Sequence, residues 1–424
     1  MSLCSREILL SSSPDGPIMA YDASSGATLA HFTGSHSPRK GLALAGNTMI
    51  AASHISSDTA LGSIHLYNWW SSSAFHHLPL PEPVAPLAAT PDGLYLFSGG
   101  LSGYIHALLL PSGDLLRSFP AHSKPVSCLT INDDGSLLIS GGDDGAIAVF
   151  PVLTLLDASA GDNFSSCQLT LHRFVGHASS VTSIISGTGG CGSIIVSCSL
   201  DCTCKLWSLA QGIHLRTLRF PCMIWGVAMD PTESTLYAGG SDGRVYVAML
   251  KVASSSRQEV GRGSTELVAW TQEAAGGAIT AVKMTNTGRN ILTASEDGSI
   301  RIWEVERGGV IKVFGDGGGS VSDLVVAKGV YESCGRSVRF GAGSVESTGC
   351  WSLGFSGREL SRAMGNKVIE MEETLSEVVK DRRRAIGTLE TAIGTYERLL
   401  ELILKEAKED DTENNGEKNE HDRR

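Results

Sequence analysis

The chain has 424 residues, is 42% apolar and 19% charged, and carries a formal net charge of −11. This balance suits a protein with a large apolar core, and no apolar run reaches the roughly 18 residues that would predict a membrane span. It disfavours sequence-blind nucleic-acid binding by the whole surface.

The opening residues, Met1-Ser2-Leu3-Cys4-Ser5-Arg6-Glu7, lack an apolar stretch behind positive charge, so no signal peptide is expected. The ten cysteines, Cys128, Cys198 and Cys204 among them, then read as reduced thiols. From Glu7 onward one pattern recurs: an apolar strand, a tight turn, and a second alternating strand. The turns fall at Asp15-Gly16, Leu61-Gly62, Ser102-Gly103, Asp144-Gly145, Asp201-Cys202, Asp242-Gly243 and Asp297-Gly298. Asp-Gly between two alternating apolar runs is a hairpin signal, because glycine accepts the positive φ such turns need. Six residues after each turn begins stand Tyr21, Tyr67, Leu108, Phe150, Trp207, Ala248 and Trp303. The turns are spaced 46, 41, 42, 57, 41 and 55 residues apart. Periods in the forties match a four-stranded propeller blade. The two long steps contain polar insertions, Asp157–Asn163 and Ser254–Gly263, that read as surface loops.

Another alternating strand precedes each hairpin, as in Val126–Ile131 and Ile279–Met284. The first unit lacks this strand, since the pattern opens directly at Glu7-Ile8-Leu9-Leu10. The matching segment appears after the last unit, at Val321–Val326. The expected architecture is all-β, a ring of seven blades over residues 1–329, with strand 321–329 closing on the N-terminal blade.

Candidate chemistry is sparse. His177, a serine of the Ser197/Ser199 strand, Asp201 and Trp207 resemble the His–Ser–Asp–Trp set of WD-repeat blades, which implies one hydrogen-bonded network that stiffens a blade. Asp297 and Trp303, with Ser295, repeat part of it. A serine, histidine and aspartate together evoke nucleophilic catalysis, but no Gly-x-Ser-x-Gly elbow accompanies them, and no catalytic residue is expected. Cys191, Cys198, Cys202 and Cys204 include no Cys-x-x-Cys pair, so no metal site is expected. His76-His77 reads as a surface pair. Gly315–Ser320 lacks the Gly-Lys-Ser/Thr of a phosphate loop, so no cofactor is expected.

Residues 330–357, rich in Gly and Ser with Phe340, Trp351 and Phe355, read as a strap or linker. Residues 358–408 are predicted to form one long amphipathic helix. Its seam is Val368, Met371, Leu375, Val378, Arg382, Ala385, Leu389, Ala392, Tyr396, Leu399 and Ile403, a heptad pattern broken only by Arg382. Val379, Ile386, Ile393 and Leu400 add a second apolar row beside it. A stripe this wide argues for burial against more than one helix. Covering it would yield about 15–30 kcal/mol gross, against about 1 kcal/mol each for Gly387 and Gly394 on the far face. Residues 409–424, rich in Glu, Asp and Asn, are expected to be disordered.

The segment Ser295-Glu296-Asp297-Gly298-Ser299-Ile300-Arg301-Ile302-Trp303-Glu304 resembles the WD-repeat blade signature, with Trp303-Glu304 where that family carries Trp-Asp. A seven-bladed WD-repeat propeller followed by one long leucine-rich helix is similar in arrangement to the WD-repeat subunits of the nuclear complex that matures large ribosomal subunit precursors. Segments such as Ser98–Ile105, Ala121–Ser127 and Tyr237–Gly243 carry the same resemblance. It implies a non-catalytic scaffold in the nucleus (nucleolus and nucleoplasm), supporting removal of the second internal transcribed spacer. It further implies recruitment of the AAA-type ATPase midasin to the pre-ribosomal particle. The implied partners are a long helical-repeat scaffold protein and a second helical subunit, with the C-terminal helix as docking site or homodimer contact. A role in replication licensing on chromatin is also linked to this family. The competing class is a substrate receptor of a cullin-based ubiquitin ligase, whose blades end in Trp-Asp-x-Arg; here Trp303-Glu304-Val305-Glu306 puts Glu where Arg belongs.

Overall fold

Seven four-stranded antiparallel sheets follow one another along the described chain, each a blade. The computed structural model describes residues 7–46, 48–55, 62–69, 71–110, 112–156, 169–250, 267–270, 276–315 and 319–328, all within the unit Met1–Gly343. The expected strap, amphipathic helix and acidic tail lie outside the described residues, as do both polar insertions.

The inner strands of blades two to seven are Leu42–Ala45, Val84–Ala89, Val126–Ile131, Val181–Ser186, Ile224–Met229 and Ile279–Met284. Blade one takes its inner strand from the far end of the sequence. Asp323–Lys328 pairs antiparallel with Glu7–Ser12, in a register running from Glu7 opposite Lys328 to Ser12 opposite Asp323. Ser12 and Ser322 also join their hydroxyls at 2.9 Å. Five inner strands carry a register shift near their start, at Val84/Leu87, Val126/Cys128, Val181/Ser183, Ile224/Gly226 and Ile279/Ala281. A bulge sharpens strand twist, which inner strands converging on a central axis require.

The core lies between blades rather than within them. Each of seven buried apolar clusters draws on two neighbouring blades: Leu10, Phe32 and Tyr67 join blades one and two, for example, and Phe97, Phe119 and Phe150 join three and four. The cluster between blade seven and blade one contains Leu292, Ile302, Leu9 and Leu324, so it exists only because the ring closes. A four-stranded sheet with two apolar faces cannot bury both alone, and a ring supplies a neighbour on each side.

A short helix and a disulfide depart from the sequence reading, and one predicted turn is strained. Val152–Leu156 forms a short helix after blade four, burying Val152 and Leu155. Cys202 adopts φ 61° in the turn where the other blades place glycine, a conformation that costs a side-chain-bearing residue about 1–2 kcal/mol. Cys198 and Cys204, expected as thiols, face each other across adjacent strands of blade five and are joined as a disulfide. Their alternation toward the same face places the two side chains together. Among the described residues, no helix is long and apolar enough to cross a membrane.

Candidate functional site

Blade five holds the complete network. His177 binds Asp201 through Nδ1 at 3.0 Å and Ser197 through Nε2 at 2.8 Å, and the Trp207 indole N–H donates to the same Ser197 hydroxyl at 2.8 Å. Asp201 also accepts from the Ala178 and Thr203 amides at 3.0 and 2.9 Å, tying the interblade connection to the turn. A methyl group on Gly176 would lie 2.8 Å from the Trp207 ring, which is why glycine precedes this histidine. Burial lowers the His177 pKa despite the neighbouring Asp201. Burial pushes the Asp201 carboxyl up, but hydrogen bonds from Thr203, Ala178 and His177 outweigh it and hold the group below the usual carboxylate range. The resting arrangement is therefore a neutral histidine bridging an aspartate and a serine whose hydroxyl is already engaged by an indole. Such a serine is a structural clamp rather than a free nucleophile.

The other blades replace missing members with groups from elsewhere. Blade four keeps His122, bonded to Asp144 at 3.0 Å and Ser140 at 2.9 Å, while Phe150 fills the indole position with no donor. Blade three has Ser102 at the aspartate position, and the carboxylate comes instead from Glu82, which accepts from the Ser102 amide at 2.8 Å and faces His106 Nε2 at 3.0 Å. In blade six Asp242 accepts from the Tyr246 hydroxyl at 2.6 Å. In blade seven Asp297 accepts from Ser295 at 2.5 Å, from the Ser299 amide at 2.8 Å and from the Gly276 amide at 2.9 Å. Burial raises the Asp297 pKa and these donors outweigh it, bringing it to about 2. Trp303 donates to Thr293 at 2.9 Å. Of the sequence-predicted site residues, His177, Asp201 and Trp207 thus meet in one network. Asp297 and Trp303 occupy two separate bonds of one blade.

Replacing Ser197 by alanine leaves His177 Nε2 and the Trp207 N–H buried without their partner. We expect a loss of about 2–4 kcal/mol, read as a lowered denaturant midpoint with unchanged slope; a loss below about 0.5 kcal/mol would show that the network carries no stability.

Two groupings escaped the sequence reading. His76 and His77 lie at the surface as expected, but His77 also joins a row of imidazoles. His77 packs edge-on against His65 at 4.2 Å, His65 stacks on His54 at 4.5 Å, and His54 lies 5.6 Å from His36. Strand pairing within blade two creates this row, and no local spacing announces it. Burial, then repulsion from His77 and His54, lowers the His65 pKa to about 4. The unfolded chain takes up that proton near pH 6.5, so stability falls as pH drops from 6.5 toward 4. With allowance for solvent screening, His65 accounts for about 1–2 kcal/mol of that fall. Urea unfolding at pH 7.5 and 5.0 should show a smaller difference in His65→Gln than in the parent chain.

The second grouping is the connection from blade one to blade two. Its residue Arg39 reaches across the ring to blades six and seven, stacking 4.0 Å over Trp225 and pairing with Glu296 at 2.6 Å. Gly41 closes this turn with its amide on Pro38 at 3.1 Å, and a Cβ there would collide with Ser53 Oγ. No group of three or more His, Cys, Asp or Glu is placed to hold a metal among the described residues. The helix residues Val368, Met371, Leu375, Val378, Val379, Ile386, Leu389, Ile393, Tyr396, Leu399, Leu400 and Ile403 lie outside the described residues.

A closed ring of seven sheets with a His–Ser–Asp–Trp clamp in blade five defines a WD-repeat β-propeller, and the chain is a WD-repeat protein. Residues 113–150, 167–208 and 269–304 match the family described as WD domain, G-beta repeat. The chain is homologous to Protein ROOT INITIATION DEFECTIVE 3 of Arabidopsis thaliana, 34% identical over 297 residues, covering 70% of this chain and 66% of that one. It is 27% identical over 299 residues to human WD repeat-containing protein 18, covering 70% of this chain and 66% of the relative. The Pre-rRNA-processing protein crb3/ipi3 of Schizosaccharomyces pombe is 24% identical over 245 residues, 57% of this chain and 54% of its own length. The chain therefore spans just under two thirds of the first two relatives and about half of the third.

Proposed function

We propose that this chain is a non-catalytic WD-repeat subunit of a nuclear complex that matures precursors of the large ribosomal subunit. The observation that carries the reading is similarity over 57% of the chain to a protein named for pre-rRNA processing in Schizosaccharomyces pombe, and over 43% to one in Mycosarcoma maydis. The propeller supports it physically: its polar clusters are committed to holding blades together, leaving rigid surfaces suited to binding rather than chemistry. In this reading residues 358–408 dock on a helical-repeat scaffold subunit, the complex acts in spacer removal in the nucleolus and nucleoplasm, and it helps bring the midasin-type ATPase to the particle.

Affinity purification of the tagged chain at moderate salt tests this. Ribosome-assembly factors and pre-ribosomal RNA should co-purify, whereas an adaptor and a cullin in their place would overturn the reading. Leu389→Asp with Leu399→Asp should abolish scaffold co-purification while leaving propeller unfolding unchanged, because an unpaired carboxylate buried within the stripe costs several kcal/mol. Retained co-purification would remove the helix from the interface.

A further inference from the structure

We propose that the cavity in the channel wall between Lys40 and Lys283 binds a compact phosphate-bearing anion. The cavity measures about 270 Å³ and its lining includes Lys40, Lys283, Thr130, Ser183, Cys128 and Asp133. Lys40 comes from the blade-one-to-two connection and Lys283 from the inner strand of blade seven, so closing the ring brings together two cations 243 positions apart (283 − 40).

Lys40 is held there by its backbone. It adopts φ 61°, its carbonyl accepts from the Leu87 amide of blade three at 3.0 Å, and the neighbouring Gly41 carbonyl accepts from Ser53 at 2.8 Å. A strained, pinned residue that carries a cation into a cavity is a common feature of binding sites. Among the described residues, neither lysine forms an ion pair. Burial and then repulsion from Lys40 lower the Lys283 pKa, and Asp323 pulls the other way without prevailing. The carboxylate lining the cavity, Asp133, stays charged but is turned to backbone amides, and it leaves the two ammonium groups in excess. Asp133 accepts from the Gly189 and Gly190 amides at 3.1 and 3.0 Å, and Asp323 from the Leu324 amide at 2.9 Å. On the same turn as Lys40, Arg39 leaves Nη1 buried without a hydrogen-bond partner. Two ammonium groups that repel each other in a small polar cavity are relieved by a dianion between them. Phosphate supplies two charges and several acceptor oxygens in that volume.

The inference is independent of the proposed role in ribosome assembly. Its test is a titration of inorganic phosphate into the full chain at constant ionic strength, followed by thermal unfolding. The melting temperature should rise saturably, and Lys40→Met and Lys283→Met should each weaken apparent phosphate affinity about tenfold. In the unaltered chain, phosphate should also slow acylation of Lys283, read by mass spectrometry, which keeps the test open if either variant fails to fold. Absence of a saturable shift, unchanged affinity in both variants, or unprotected Lys283 would each overturn the proposal.

Discussion

Excising residues 321–328 should abolish cooperative unfolding of the whole propeller, not merely loosen one blade. The excision removes Val321, Leu324 and Ala327, all buried, from the clusters flanking blade one. Truncating a single buried leucine such as Leu324 costs about 2–5 kcal/mol. Loss of the strand also strips Glu7–Ser12 of six paired positions and leaves a buried sheet edge without partners. Together these exceed the 5–15 kcal/mol that typically separates a folded domain from its unfolded state. Ile311→Asp is the control: Ile311 is 57% exposed on an outer strand, and its replacement should stay within about 0.5 kcal/mol of the parent. Denaturant unfolding of the two variants decides the matter. A cooperative transition at the parent midpoint in the excised chain would mean that the ring does not depend on its closure strand.

Trp303→Ala should cost about 3–5 kcal/mol. Trp303 is 1% exposed and fills the space between blades six and seven, where its ring lies 5.7 Å from that of Trp270. The cavity cannot collapse readily, because Tyr237 and Ile291 beside it belong to strands paired on both sides. Trp303→Phe keeps most of the volume and forfeits only the bond to Thr293, so about 1–2 kcal/mol is expected. Phe150, buried at the equivalent position of blade four, shows that the architecture accommodates a ring without a donor there. Denaturant midpoints measure both variants, and an alanine variant within 1 kcal/mol of the parent would contradict the interblade packing described above.

The blade count and the closing strand were legible because they rest on local signals. Period-two alternation and a turn residue at intervals in the forties survive even where the tryptophan is lost, as at Leu108 and Ala248. The His177–Asp201–Trp207 network was legible through the resemblance to WD-repeat blades, which implies these partners. Glu82 was not. It serves blade three from the connection preceding it, and nothing in the spacing links it to Ser102 or His106 until the strands pair. The histidine row of blade two was hidden likewise, because its contacts run across strands rather than along one.

By itself the sequence determined the repeat and the strands, both properties of hydrophobic period and turn chemistry that act within a few residues. Tertiary structure alone decided which groups substitute for missing clamp residues, that Cys198 and Cys204 are joined, and that Arg39 crosses to Trp225 while Lys40 and Lys283 line one cavity. The physical reason is one of distance. Alternation specifies which face a side chain takes, but only closing a ring determines which distant side chain stands opposite it.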